Sequence, residues 1–429
     1  MKTLSVVKVA LGGSAAILLG GLLAAAPAAQ ANTGRTVPCK TKALIAAINA
    51  ANSSGGATIN LAPGCTYRLT TASSPNAMLG DTGLPAVTSR ITLNGFRTTI
   101  AGNNSTFRIL MVTSSGKLTL NGLTITGGNT SGPGGGIFNL EGTLVLNRSR
   151  VTGNASAGGM MSMAAGGGIA SGTLGTGPAG TAVLNFSRVD HNTTTNSAGG
   201  ILNHGGTLIL NASKVDDNTA AGGGGGIASG TGGQGGAGSS ILVVKFSQIS
   251  GNAANGGPMA GAGGIANGGT AAITGSVIYG NTAPGGAGGG ILNHGVMTIT
   301  GSKVTGNTAP ADSAGDQGMG GGIANINLGQ VAPGAVNGGI LTITFSQISR
   351  NTASGQGGGI IEATISANGT PVAGGPLTIK FSQITRNKAA SGGGIFAVPG
   401  SPVTLKVTVV AKNIPDNCAP PGTIAGCKN

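Results

Sequence analysis

Four residues near the middle of the chain have types and spacing that could do chemistry: Asp190, His191, Asp216 and Asp217. Asp190 and Asp216 each stand two places before an asparagine, Asn192 and Asn218, and those asparagines are 26 residues apart. If 26 residues make one turn of a coil, the two carboxylates lie one strand spacing apart, about 5 Å. His191 and Asp217 then occupy the next column. Carboxylates that close perturb one another's proton affinity, and could share a proton, act as an acid–base pair or hold a Ca2+ ion. No Arg or Lys obviously completes the set, and a solvated corner with incidental charges would show the same pattern. These four are the catalytic candidates.

Three cations form a second group. Arg350, Arg386 and Lys412 each directly precede an asparagine of the same series, so they should stack as a basic column over the last turns. Stacked like charges repel, and a bound anion would offset that cost. His204 and His294 both follow Ile-Leu-Asn but lie several turns apart, too far to share a site. Glycine runs such as Gly222–Gly226 lack the Lys-Ser/Thr ending of a phosphate loop. Met160, Met161, Met163, Met259 and Met319 all fall in inserts ahead of a Gly-Gly-Ile, and would gather as adaptable apolar side chains on one edge.

What must position these residues is a repeat. A box of the form S-x-V-x-x-N, or a looser version, closes at Asn103, Asn129, Asn154, Asn192, Asn218, Asn252, Asn281, Asn307, Asn351, Asn387 and Asn413. No gap between these falls below 25 residues, and the longer gaps are swollen by Gly/Ala-rich inserts. A Gly-Gly-Ile box keeps step with it. Each unit carries three short stretches of β periodicity, TLVLN at Thr143 to Asn147 being one, and none is long enough to pair within its own unit. They must pair with their neighbours, one rung per unit, as a parallel β-helix. Alternate residues such as Leu144, Leu146 and Val151 should point inward, with glycine and asparagine at the corners. Eleven rungs at about 4.8 Å give a rod roughly 50 Å long.

Composition agrees with a coil rather than an ordinary globule. Of 429 residues 86 are glycine, none is Trp, two are Tyr, and 7% are charged, with a net charge of +14. Residues 1–31 read as a signal peptide: Lys2 and Lys8, an apolar run, then Ala29-Gln30-Ala31. Its removal lowers the charge to +12 and leaves no segment apolar for long enough to span a bilayer. Residues 32–89 form an N-terminal cap. Within it Pro38 to Asn52 reads as an amphipathic helix capped by Thr41, with Leu44, Ile45 and Ile48 on one face. Ala57 to Leu61 and Thr66 to Thr70 read as the first strands. Residues 90–413 are the repeats, and 414–429 a tail. Four cysteines allow three pairings, and locality favours Cys39 with Cys65 and Cys418 with Cys427. The first bridge would contribute about 3 kcal/mol by closing its loop. The pairs are far apart with no His beside them, so no metal site is expected.

The stretch Val37 to Thr70 (VPCKTKALIAAINAANSSGGATINLAPGCTYRLT) resembles the cysteine-containing cap of secreted bacterial right-handed parallel β-helix proteins. The GG-I boxes, and FSQISGN at Phe246 to Asn252, resemble the repeats of polymorphic outer membrane proteins. The resemblance implies right-handed coiling and a pectate-lyase-like scaffold. It carries no activity, because enzymes and adhesins share such repeats. The C-terminal barrel of the outer-membrane group has no counterpart in this sequence.

The expectation is therefore a secreted monomer, extracellular or held at the cell wall, non-enzymatic, that binds an acidic polysaccharide or cell-wall polymer in surface association or adhesion. The competing reading is a polysaccharide lyase or glycoside hydrolase centred on Asp190, Asp216 and Asp217. No cofactor is expected beyond Ca2+ at that group. Scarcity of aromatics speaks against nucleic acid and against stacking on neutral sugars.

Overall fold

The computed structural model describes residues 36–429 except 104–105, 158–164, 174–179, 231–239, 258–260, 329–338 and 366–370. The leader 1–31 and Met160, Met161, Met163 and Met259 lie outside the described residues. Met319 is described, and it packs, partly buried, against a cluster that includes Ala287 and Ala324.

Helix α1, Thr41–Ser53, buries Leu44, Ile48 and Ala51, while Ile45 is only partly covered. Thr41 does not cap it. Lys40 holds the N-cap position without a side-chain bond, and the Thr41 hydroxyl donates instead to the Arg68 carbonyl, 2.7 Å away. The hydroxyl thus ties the helix to the strand beneath. Strands β1, Gly56–Asn60, and β2, Thr66–Leu69, both pair in parallel with β3, Arg90–Gly102. The disulfides are Cys39–Cys65 and Cys418–Cys427, as locality predicts.

Beyond β3 the chain coils. One rung runs Thr143–Asn147, Arg150–Thr152, Ala155–Ser156 and Ile169–Gly172. The expected three strands become four, because a two-residue strand follows the box asparagine. Each strand pairs in parallel with its counterpart in the next rung, residue for residue: Leu144 with Ala182, then Leu208; Val151 with Val189, then Val215; Ile169 with Ile201, then Ile227. The fold is a parallel β-helix with an N-terminal helix. The one antiparallel pairing between named strands of the described residues joins Ile360–Ile365 to Pro371–Val372. Inward columns such as Leu146, Leu184, Leu210, Val244, Ile273 and Ile299 are fully buried. Burying each such side chain stabilises by about 1.5–3 kcal/mol, so aliphatic stacking replaces the missing aromatics.

The box asparagines form a buried ladder. From Asn154 to Asn387 each Nδ2 donates to the Oδ1 one rung on, at 2.9–3.0 Å, and that same Oδ1 accepts the backbone N–H. Asn103 and Asn129 do not join it. Both are exposed, and Ala155 pairs with Asn129, so Gly128 stands at the ladder position and its N–H donates to Asn154 Oδ1. Nor do the asparagines themselves take the left-handed backbone. The residue before each does: φ is 61° at Gly153, 54° at His191, 55° at Asp217, 55° at Arg350 and 60° at Lys412. The Gly-Gly-Ile glycine fits by close approach, since a Cβ on Gly168 would come within 2.8 Å of Asn192 Nδ2 and of the Gly200 carbonyl.

Candidate functional site

Asp190 and Asp216 are neighbours in register on the second strand of adjacent rungs, as the 26-residue spacing predicts. The set lacks no base partner, which corrects the sequence reading. Arg150, one rung before Asp190, donates from Nε to Asp190 Oδ1 at 2.8 Å and from Nη2 to Oδ2. Arg188 makes the same fork to Asp216, with Nε to Oδ1 at 2.9 Å. The arginines hold the second position of their boxes and the aspartates the fourth, so each fork runs diagonally from one rung to the next. Burial pushes the Asp190 carboxyl up, but hydrogen bonds from Arg150 and His191 and the nearby guanidinium charges outweigh it and hold it below the usual range. The Arg150 guanidinium is correspondingly raised by its bond to Asp190. Each carboxylate is already neutralised, so the two do not share a proton, and a Ca2+ ion there would have to displace both arginines. Among the described residues no group of His, Cys, Asp and Glu is arranged to hold a metal.

His191 joins the cluster from the left-handed corner. Its Nδ1 lies 2.8 Å from Asp190 Oδ2 and its Nε2 4.0 Å from Asp217 Oδ2, with the ring more than half exposed. A buried carboxylate therefore orients an accessible imidazole. His204 and His294 stay apart, with the pairing column passing through Ile201, Ile227, Ile265 and Ile291 between their strands. Burial pushes both imidazoles down, towards the neutral form.

Arg350, Arg386 and Lys412 do stack, since the asparagines they precede are consecutive in the ladder. All three are exposed, and no salt bridge among the described residues involves them.

Two features escaped the sequence reading. The first is Glu362, fully buried, whose Oε2 accepts 2.7 Å from Asn325 Nδ2. Burial pushes this carboxyl up to about 9. The second is an aromatic corner. Five of the eight phenylalanines, Phe96, Phe186, Phe246, Phe345 and Phe381, are 50–70% exposed. The last four sit between the first and second strands of their rungs, and Phe96 sits at the matching register shift inside β3. Phe186, Phe246, Phe345 and Phe381 have φ of 50–52°, a conformation that is unusual for a bulky residue. The serine that follows points inward and accepts a backbone N–H from the preceding rung. The motif Phe-Ser-x-Ile/Val was visible; only the structure separates its outward ring from its inward hydroxyl.

Gly122, Gly275 and Gly301 share this corner with the rings, and Gly122 and Gly301 floor two recesses. One, about 560 Å3, lies between Phe96 and Phe186 over Gly122, with Asn121, Asn147, Asn185 and Arg148 around it. The other, about 260 Å3, lies over Gly301 against Phe345 and Phe381, with Lys303, Gln347 and Gln383. From this second recess the strands Gln347–Ser349 and Gln383–Thr385 lead directly to Arg350 and Arg386.

No family model matches the sequence, and no curated protein matches it. Among solved structures, the A-module of a mannuronan C-5 epimerase from Azotobacter vinelandii is similar at 18% identity, covering 89% of this chain and 95% of that chain with a TM-score of 0.49. The fold assignment rests on the strand register given above.

Proposed function

We propose that the chain is an extracellular, monomeric and non-enzymatic rod that binds acidic polysaccharide or a related wall polymer, in surface association or adhesion. The observation that carries this reading is the column Arg350–Arg386–Lys412. Three exposed cations stand one rung apart with no ion pair to a carboxylate among the described residues, and a polyanion laid along the rod would relieve their repulsion. The rung spacing of about 4.8 Å is comparable to the rise of one sugar along a 1,4-linked chain. Two disulfides fit an oxidising compartment. No helix among the described residues is long and apolar enough to cross a membrane.

The test is retention of the full chain on polygalacturonate or alginate at low and high salt. Binding that weakens with salt, and that the triple variant R350Q/R386Q/K412Q loses, is expected. Equal retention of parent and variant would remove the column from the account.

A second reading is favoured by His191. An imidazole fixed by Asp190 could take the proton beside a uronate carboxyl as the 4-linked sugar departs, leaving an unsaturated end, which is lyase chemistry. Incubation with uronate polymers should then release unsaturated products, and His191→Ala should abolish them. The neutralised carboxylates do not suit the paired acid and base of a glycoside hydrolase.

A further inference from the structure

We infer that the phenylalanine corner is a docking track for sugar rings, in which the recesses over Gly122 and Gly301 are two subsites for one acidic glycan chain. The inference deepens the polymer-binding reading and rests on it for the charge of the ligand. Bulky apolar residues in a left-handed backbone are costly, and costly backbone is retained where the side chain has a use. Here it recurs at four positions of a single column, while the other three phenylalanines, Phe107, Phe138 and Phe396, are buried.

The rings make contacts from one rung to the next. A Cβ on Gly275 would come 2.7 Å from Phe246 Cδ1, so that ring lies over the next rung. Phe345 and Phe381 stack at 5.1 Å between centroids and 12° between planes. Arg97 and Arg148 sit over Phe96 and Phe186, at 5.5 and 5.6 Å. Exposed rings braced by a neighbouring ring or guanidinium offer apolar surface to a pyranose.

Each recess combines the same three chemistries. An aromatic wall meets the ring, amides meet hydroxyls, and one cation, Arg148 or Lys303, meets a carboxylate. Asn147 and Asn185 each give one N–H to the preceding rung's Asn and keep a second for a ligand. A protein partner would want a continuous apolar patch, and glycines and polar groups interrupt this one. The floors are six rung pairings apart, which is about 29 Å. One chain long enough to span them gains the effective concentration of a tethered second site.

The test is calorimetric titration of the full chain with oligogalacturonates of increasing length, beside neutral oligosaccharides and phosphatidylglycerol vesicles. Phe186→Gly and the pair Phe345→Gly with Phe381→Gly keep a backbone that glycine adopts readily, so circular dichroism should stay unchanged. Expected are a step in affinity once the oligomer spans both recesses, and at least a tenfold loss in each variant. If R350Q/R386Q/K412Q abolishes binding and the phenylalanine variants do not, the track falls and the basic column stands. If neutral glycans bind and the phenylalanine variants lose them, the track stands and the acidic ligand falls. No binding of any glycan overturns both, and vesicle binding lost with the rings overturns the track in favour of a lipid surface.

Discussion

Glu362 terminates a buried polar column by accepting the Asn325 amide at 2.7 Å, and Asn325 in turn accepts from Asn293, and Asn293 from Asn267. Where earlier rungs have a neutral amide, this rung has a carboxyl that burial keeps protonated. Its folded value of about 9 stands above the ordinary 4.5. The folded state therefore binds the extra proton between those values, so the contribution is fully present below about 4.5 and is lost as pH climbs through about 9. Melting temperature should fall from pH 5 to pH 9 in the parent and fall much less in Glu362→Gln, which keeps an uncharged acceptor. Identical pH profiles would show that Glu362 is not the group responsible.

The forked pair across the rung makes a second prediction. Asp190 is wholly buried while Arg150 is partly exposed, so Arg150→Gln should cost about 1–3 kcal/mol by stranding the carboxylate. Adding Asp190→Asn should recover part of that loss, because the charge left unpaired is gone. The folded Asp190 value is depressed, so the pair's contribution is present above the ordinary carboxylate range and fades as pH falls through the depressed value. Urea denaturation of the four members of the cycle measures this, and strict additivity would refute the coupling.

Phe246 is 70% exposed at φ 51°. Phe246→Gly should stabilise the chain by about 0.5–1 kcal/mol, the left-handed strain relieved minus the entropy that glycine adds to the unfolded state. A loss of stability would mean that the ring's packing over Gly275 outweighs the strain.

Position within the ladder should separate two asparagines that look alike in sequence. Asn281→Ala removes bonds to Asn307 and to the Ile249 carbonyl, and strands the donor of Asn252. The expected cost is about 2–4 kcal/mol. Asn129→Ala, at an exposed position outside the ladder, should change stability by less than about 0.5 kcal/mol. Chemical denaturation of the two variants settles the contrast.

The rung was legible because its inward residues recur on a fixed grid, and Val151, Val189 and Val215 fall where the grid puts them. Corners were less legible. A left-handed position accepts Gly, Arg, His or Phe, so no residue type marks it, and the role passed to the asparagine beside it. The Arg150–Asp190 fork was missed for a related reason. The two are 40 residues apart in sequence, and an insert of variable length hides the single rung between them. Glu362 carried no sign of its burial, because the amides it aligns with occur in loosely similar segments.

The asparagine ladder has a direction. Every ladder amide from Asn154 to Asn413 points one N–H towards the later rungs and its carbonyl towards the earlier ones. Aligned amides polarise one another and their dipoles add, as they do along a helix axis. The surface ladder from Asn211 back to Asn60 runs the opposite way, in a more solvated setting. The interior is thus an electrically polar rod whose positive pole faces the rungs of Arg386 and Lys412. A polyanion drifting past would be turned as well as held, meeting one end of the molecule before the other.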